Sequence, residues 1–254
     1  MSDDGSDRGS DVGLSAETLR ALREFALDKG IFVDDDNNDK VVESVREHCA
    51  VKDREDIFKM HYKSKDELRE VKYELKGIKR ELGQTLDSTG LTIWRAAEHL
   101  CQFIIDRPEI FRGKTICELG AGLGLVAVLI EKLGYCSPDG QLVVTDGDEP
   151  TMSLLIDNKV ENECFFEASY LYWGETEDFM STYPDKFEVV IAADVIYEEE
   201  QIEPLLNTVC VILREGGSFI LAFARRNVKI DKVYAVAAER GLEWRILDEN
   251  PEGI

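Results

Sequence analysis

Positive charge is scarce in this 254-residue sequence: 30 Lys and Arg face 52 Asp and Glu, a net charge of -22. A chain of that sign cannot hold a phosphate backbone by bulk electrostatics, so no nucleic-acid partner is expected. The same charge would attract a basic partner. No apolar run approaches the roughly 20 residues that cross a bilayer, so no membrane partner is expected either. The opening MSDDGSDRGSD is acidic and has no apolar stretch, unlike a secretory or transit signal. Cysteine spacing shows no CxxC pair. Cys49, Cys101, Cys117, Cys136, Cys164 and Cys210 mostly sit in apolar segments, as reduced thiols do in a cytosolic or nuclear protein. The three histidines form no HxH or HExxH set, and no metal is expected.

What is present is 44% hydrophobic residues, enough for one sizeable α/β domain with a smaller extension. Residues 1–13, rich in Asp, Ser and Gly, are expected to be disordered. Ser15 can cap a helix from Ala16 to Lys29 with Leu19, Leu22, Phe25 and Ala26 on one face. DDDNND at 34–39 breaks it, and Val41, Val42 and Val45 mark a second short helix. Residues 14–86 carry no functional motif and read as an accessory extension. Within them, ELREVKYELKGIKRELGQTL (67–86) has high helix propensity, but VKYEL and the Gly77 break favour a β-hairpin. LTIWRAAEHLCQFIID then reads as an amphipathic helix that Pro108 helps to end.

From Gly113 onward, strands alternate with helices. Strands are expected at 114–119, 141–146, 165–173, 187–194, 218–225 and 242–249. Helices are expected at about 125–133, 151–162, 201–213 and 229–240. Such alternation implies a mostly parallel sheet with helices on both faces, whose ligands bind at the carboxyl ends of the strands. Acids stand at three of those ends: Glu118, Asp146 and Asp194.

Glu118-Leu-Gly120-Ala121-Gly122-Leu-Gly124 carries the first chemical signal. Glycines between strand and helix allow a tight turn and bring a ligand against the backbone. Asp146 is placed for the two hydroxyls of a ribose, although a helix cap is the plainer role for such an acid. A nicotinamide dinucleotide loop would need GxGxxG, and here that third position is Leu125. An acid directly ahead of the loop instead suits a ligand with a cationic amino group and no phosphate, as in S-adenosyl-L-methionine. Asp148 is expected to cap the helix near Pro150.

ELGAGLGLVAVLIEKLG, VVTDGDEP and AADVIY together resemble the seven-β-strand methyltransferases, and more narrowly the non-histone protein-lysine methyltransferases. The resemblance spans roughly 85–250. It includes an Asp-x-x-Tyr motif at Asp194 and Tyr197, a Gly-x-x-x-Trp element at Gly90 and Trp94, and Trp173-Gly174 after the third strand. It implies a Rossmann-like, doubly wound sheet in residues 87–254, preceded by a helical or hairpin extension. It also implies that Trp173 packs near the adenine and Trp94 near the methionine end, where either could otherwise be an ordinary core aromatic. Ala193 would let the cofactor approach its strand. The resembled fold closes with two strands after the helix at 229–240. The sequence offers one, LEWRILDE, before NPEGI.

On this reading Asp194 and Tyr197 are catalytic. Trp94, Glu118, Gly120, Ala121, Gly122, Gly124, Asp146, Trp173 and Ala193 hold S-adenosyl-L-methionine. From Glu161 to Glu203 there are thirteen acids, set against Lys159 just ahead and Lys186 within. Most belong to a solvated surface. Glu198, Glu199 and Glu200 follow the motif directly, where they would steer a basic protein segment. The expected protein is a monomeric, cytoplasmic or nuclear lysine methyltransferase. Methylation of arginine or histidine, or a non-catalytic cofactor-binding module, remain open at this point.

Overall fold

The structure, a computed structural model, describes residues 56–79, 88–136, 141–224 and 228–247. The expected tail at 1–13 and the two helices before residue 46 lie outside the described residues.

Strand β1 (Asp56–Lys63) pairs antiparallel with β2 (Glu70–Gly77). The hairpin expected within 67–86 is therefore displaced. VKYEL is a strand, but its partner lies upstream, and Ser64–Arg69 makes the connection. Alternation explains the pairing: Val71, Tyr73, Leu75 and Gly77 turn inward while the residues between them face out. This hairpin, assigned by sequence to an accessory extension, packs into the main core. Tyr62, Val71, Tyr73 and Leu75 share one apolar cluster with the helices α1 (Arg95–Asp106) and α3 (Leu125–Lys132). Fully buried Asn158 clamps it. Its side chain accepts from Lys76 N (2.7 Å) and donates to Lys76 O and to Leu123 O (3.0 Å each).

Helix α1 presents Ala96, Leu100, Cys101, Ile104 and Ile105 on one stripe, so it buries a single face. It stops at Arg107, where Pro108 opens the short helix α2 (Pro108–Phe111). The remaining strands are β3 (Ile116–Leu119), β4 (Leu142–Asp146), β5 (Glu167–Tyr170), β6 (Phe187–Ala193) and β7 (Leu213–Ala222). The remaining helices are α4 (Glu149–Glu161), α5 (Glu177–Thr182), α6 (Ile202–Ile212) and α7 (Ile230–Glu239). Among the described residues these strands form one parallel sheet in the order β5-β4-β3-β6-β7. Alternate residues of each strand feed two cores. Ile116, Val144, Val189 and Ile191 pack with α1, α3 and α4, whereas Cys117, Leu119, Val143, Val190 and Ala192 pack with α5, α6 and α7. Burying both faces is what makes these strands read as nearly continuous apolar runs. Each fully buried Val, Leu or Ile contributes about 1.5–3 kcal/mol. The winding reverses between β3 and β6, and this places a crevice at their carboxyl ends.

Three expectations need correction. The strand expected over 165–173 leaves the sheet after Tyr170, and Leu171–Trp173 becomes a loop. Strand β7 begins at Leu213, not 218, because Arg214–Gly217 loops out of register, with Gly216 at φ 74°. Residues 242–247 form no strand. Gly241, at φ 73°, caps α7, and the Trp244 ring then stacks on Tyr234 of that helix at 3.6 Å, drawing the segment away from the sheet. The described sheet thus has five strands where the resemblance implied seven.

Candidate active site at the strand ends

The carboxyl ends of β3, β4 and β6 open into one cavity of about 430 Å³. Trp94, Glu118, Gly120, Ala121, Gly122, Asp146, Trp173, Ala193, Asp194 and Tyr197 all line it. Gly124 does not. It sits at φ 80° as the residue preceding α3, and a Cβ there would meet Leu155 Cδ1 at 2.5 Å. Its contribution is to the turn and to packing.

The glycine loop follows β3 without a break. Ala121 N donates to Thr145 O (2.9 Å), and Thr145 Oγ1 donates to Glu118 O (2.9 Å), so the loop is tied to β4. Gly120 and Gly122 adopt φ of 66° and 56°, the left-handed region that favours glycine. Space is also short: a Cβ on Gly122 would lie 3.2 Å from Gly90 O. Gly90 is tighter still, because a Cβ there would meet Thr151 Oγ1 at 2.3 Å. Gly122 thus makes room for the Gly90 backbone, and Gly90 in turn for the Thr151 side chain. Trp94 is half-buried, and its indole Nε1 donates to Thr89 O (2.8 Å).

Glu118 is 3% exposed, and its Oε2 is buried without a hydrogen-bond partner. Burial pushes its carboxyl up to about 8; an amide hydrogen bond from Ala127 opposes the rise and the charge of Asp146 adds to it. A buried acceptor left open is costly, so this oxygen calls for a donor, preferably a cation. Asp146 behaves differently. Its Oδ2 accepts from Gly122 N (2.9 Å) and its Oδ1 from Asp148 N (3.1 Å). Burial raises this carboxyl to about 6; the amides of Gly122, Asp148 and Gly147 oppose the rise and the charge of Asp148 adds to it. A carboxylate has about four acceptor sites, so these amides leave acceptor capacity for ribose hydroxyls. One acid with an open oxygen beside the loop and one partly used acid on the next strand fit the amino group and the ribose of S-adenosylmethionine.

Asp148 caps α4 as expected, accepting from Thr151 N (3.0 Å), and it also takes the Ser88 hydroxyl. Ser88, Gly90 and Thr151 thus lock the segment before α1 to the start of α4. Sequence reading missed this lock. It also missed Tyr172 and Gln201, which line the cavity. The only signal for Tyr172 was its place beside Trp173, in what read as a strand.

Asp194 follows β6 immediately. It is 8% exposed, its amide donates to Ala222 O (2.9 Å), and its φ is 58°. Asp adopts the left-handed region more readily than most residues, and here it does so buried at the cavity lining. Tyr197 is 39% exposed at the mouth. The three glutamates that follow it have separate duties. Glu198 is spent on a capping box with Gln201, Glu199 pairs with Lys232, and Glu200 lines the cavity.

Fold and site together define a Rossmann-like methyltransferase domain with S-adenosyl-L-methionine as its cofactor. The chain belongs to the lysine methyltransferase family, whose model matches residues 77–240. It is similar to the calmodulin-lysine N-methyltransferase of Arabidopsis thaliana, at 29% identity over 173 residues, 65% of this chain and 55% of that protein. It is 31% identical over 171 residues to protein-lysine N-methyltransferase EFM3 of Chaetomium thermophilum, covering 63% and 50%. It is 32% identical over 146 residues to protein N-lysine methyltransferase METTL21A of Danio rerio, covering 55% and 62%. The match therefore spans 50–62% of these relatives' lengths. A solved S-adenosylmethionine-dependent methyltransferase from Agrobacterium tumefaciens superposes with a TM-score of 0.49 at 9% identity, over 66% of this chain and 55% of that one.

Proposed function

We propose that this protein transfers a methyl group from S-adenosylmethionine to a lysine side chain of a non-histone protein. One observation carries the reading. The cavity that presents the unpartnered Oε2 of Glu118 and a partly used Asp146 also has Asp194 and Tyr197 on its lining. When bound, the cofactor supplies an electrophilic sulfonium methyl group that a neutral amine can take directly.

The chain's own residues must then solve a protonation problem. A lysine amine has a pKa near 10.4, so at pH 7 only about one in 2,500 is neutral, a penalty of about 4.6 kcal/mol. Asp194 cannot lower that pKa by charge, since a carboxylate stabilises the ammonium. Its part is to accept a hydrogen bond from the amine and aim the nitrogen lone pair into the cavity while the proton leaves to water. Tyr197 supplies an aromatic wall and a hydroxyl at the mouth. Glu118 would hold the cofactor's amino group and Asp146 the ribose hydroxyls, with Trp94 and Trp173 packing beside it. Glu200, exposed on the lining, favours an acceptor lysine in a basic segment.

Incubation with methyl-labelled cofactor and a protein lysate tests the reading. The expected result is a discrete labelled protein whose hydrolysate contains methyl-lysine. Label on arginine or histidine would move the acceptor, and cofactor binding with no labelled protein would leave a binding module.

A further inference from the structure

Tyr197 stands on a short loop between a buried strand and a buried helix, and its exposed ring cannot be fixed by packing alone. The loop is instead gripped by one side chain. Gln201 Oε1 accepts from Tyr197 N (2.9 Å) and from Glu198 N (3.0 Å). Both neighbours are N–H donors, so the oxygen of the amide must face them. The Glu198 carboxylate in turn accepts from the Gln201 backbone N–H, closing a capping box. Gln201 is followed by α6, whose Ile202, Leu205, Leu206 and Val209 are buried in the sheet's second core. The side chain therefore links a rigid helix to the backbone of the Asp-x-x-Tyr loop, and Gln201 lines the same cavity as Asp194 and Tyr197.

We propose that Gln201 is the positioning residue of this site, holding the Tyr197 backbone so that the ring stands where the acceptor lysine enters. The inference rests on the lysine methyltransferase reading. A plain cap would stabilise the 3-10 turn Glu199–Gln201 that leads into α6 and nothing more. A positioning residue changes transfer without changing cofactor binding, because Glu118, the glycine loop and Asp146 lie on other elements.

Gln201→Met keeps side-chain length and removes the acceptor oxygen, while Gln201→Glu restores an acceptor. Three quantities are measured on the full chain: methyl transfer to lysate protein at saturating labelled cofactor, cofactor affinity by calorimetry, and amide exchange at Tyr197 and Glu198. For Gln201→Met, transfer is expected to fall about tenfold, as a modest misplacement of a reacting group does. Cofactor affinity should hold, the two amides should exchange faster, and Gln201→Glu should recover both transfer and protection. Transfer by Gln201→Met at the wild-type rate overturns the proposal, as does affinity falling in step with transfer or failure of Gln201→Glu to rescue. Absence of transfer by the wild-type chain overturns the lysine methyltransferase reading itself, and Gln201's role in transfer with it.

Discussion

Glu118 lies buried at the end of β3 and Asp146 half-buried at the end of β4, and the loop beside them is fixed by hydrogen bonds to β4. Across the cavity, Tyr197, Glu198 and Glu200 are exposed, and their loop hangs on the Gln201 side chain. The first region is a wall that the fold itself makes rigid, suited to a cofactor of constant shape. The second is a mouth, open enough to admit a segment of another protein. Asp194 stands between them, buried like the wall yet attached to the mouth, and its left-handed backbone turns the chain from one to the other. The difference teaches where binding and chemistry divide: variants of the wall should act on cofactor affinity, and variants of the mouth on transfer.

The largest expected effect is at that junction. Asp194→Asn keeps the side chain's shape, and Asn tolerates the left-handed backbone nearly as well as Asp. It loses the charge-assisted bond to the amine, so labelled transfer should drop about a hundredfold. Next in size is Asp146→Ala. Charge-assisted hydrogen bonds contribute about 1.5–3 kcal/mol each, so cofactor affinity should fall at least about tenfold by calorimetry. Because Asp146 also holds Gly122 N and Asp148 N, amide exchange at those two residues should quicken as well.

How far this division could be read in advance followed burial. The parallel core strands and the acids ending them were legible because two-faced burial writes nearly unbroken apolar runs, and a charge at the end of one stands out. Gly90 and Trp94 were legible only as a resemblance; the reason for Gly90, its contact with Thr151 and Gly122, needed the fold. Strand β1 escaped because DIFKMHYK alternates about a half-exposed face and its partner had been sought downstream. Tyr172 was hidden in an apparent strand continuation. Gln201 was invisible because a capping glutamine looks the same in sequence whether or not it holds a functional loop. LEWRILDE misled for the opposite reason: its alternation is strand-like, but the Trp244 ring found Tyr234 first.

A smaller effect comes from the acidity of the wall. Glu118 titrates near 8 in the folded protein against an ordinary 4.5, so the folded state keeps a proton that the unfolded chain loses. Stability of the cofactor-free protein must therefore decline as pH rises between those two values and level off above them. Glu118→Gln removes the share of that decline owed to Glu118, while Asp146, raised to about 6, keeps its own. The variant's melting temperature should exceed that of the wild type near about pH 9, and the gap should close near about pH 4. A constant gap across that range would mean that Glu118 is not the group responsible. Smallest of all is Tyr197→Phe, which deletes one exposed hydroxyl. Transfer should fall only a few-fold, and a loss as large as that of Asp194→Asn would make the hydroxyl, rather than the ring, the feature that matters.

The division between wall and mouth is tested most directly by titrating S-adenosylmethionine calorimetrically into the wild type, Asp146→Ala and Asp194→Asn in one series. The account predicts that Asp146→Ala binds at least about tenfold more weakly, while Asp194→Asn stays within a few-fold of wild type. Equal loss in both variants would place Asp194 in the cofactor wall and contradict the assignment of chemistry to the mouth.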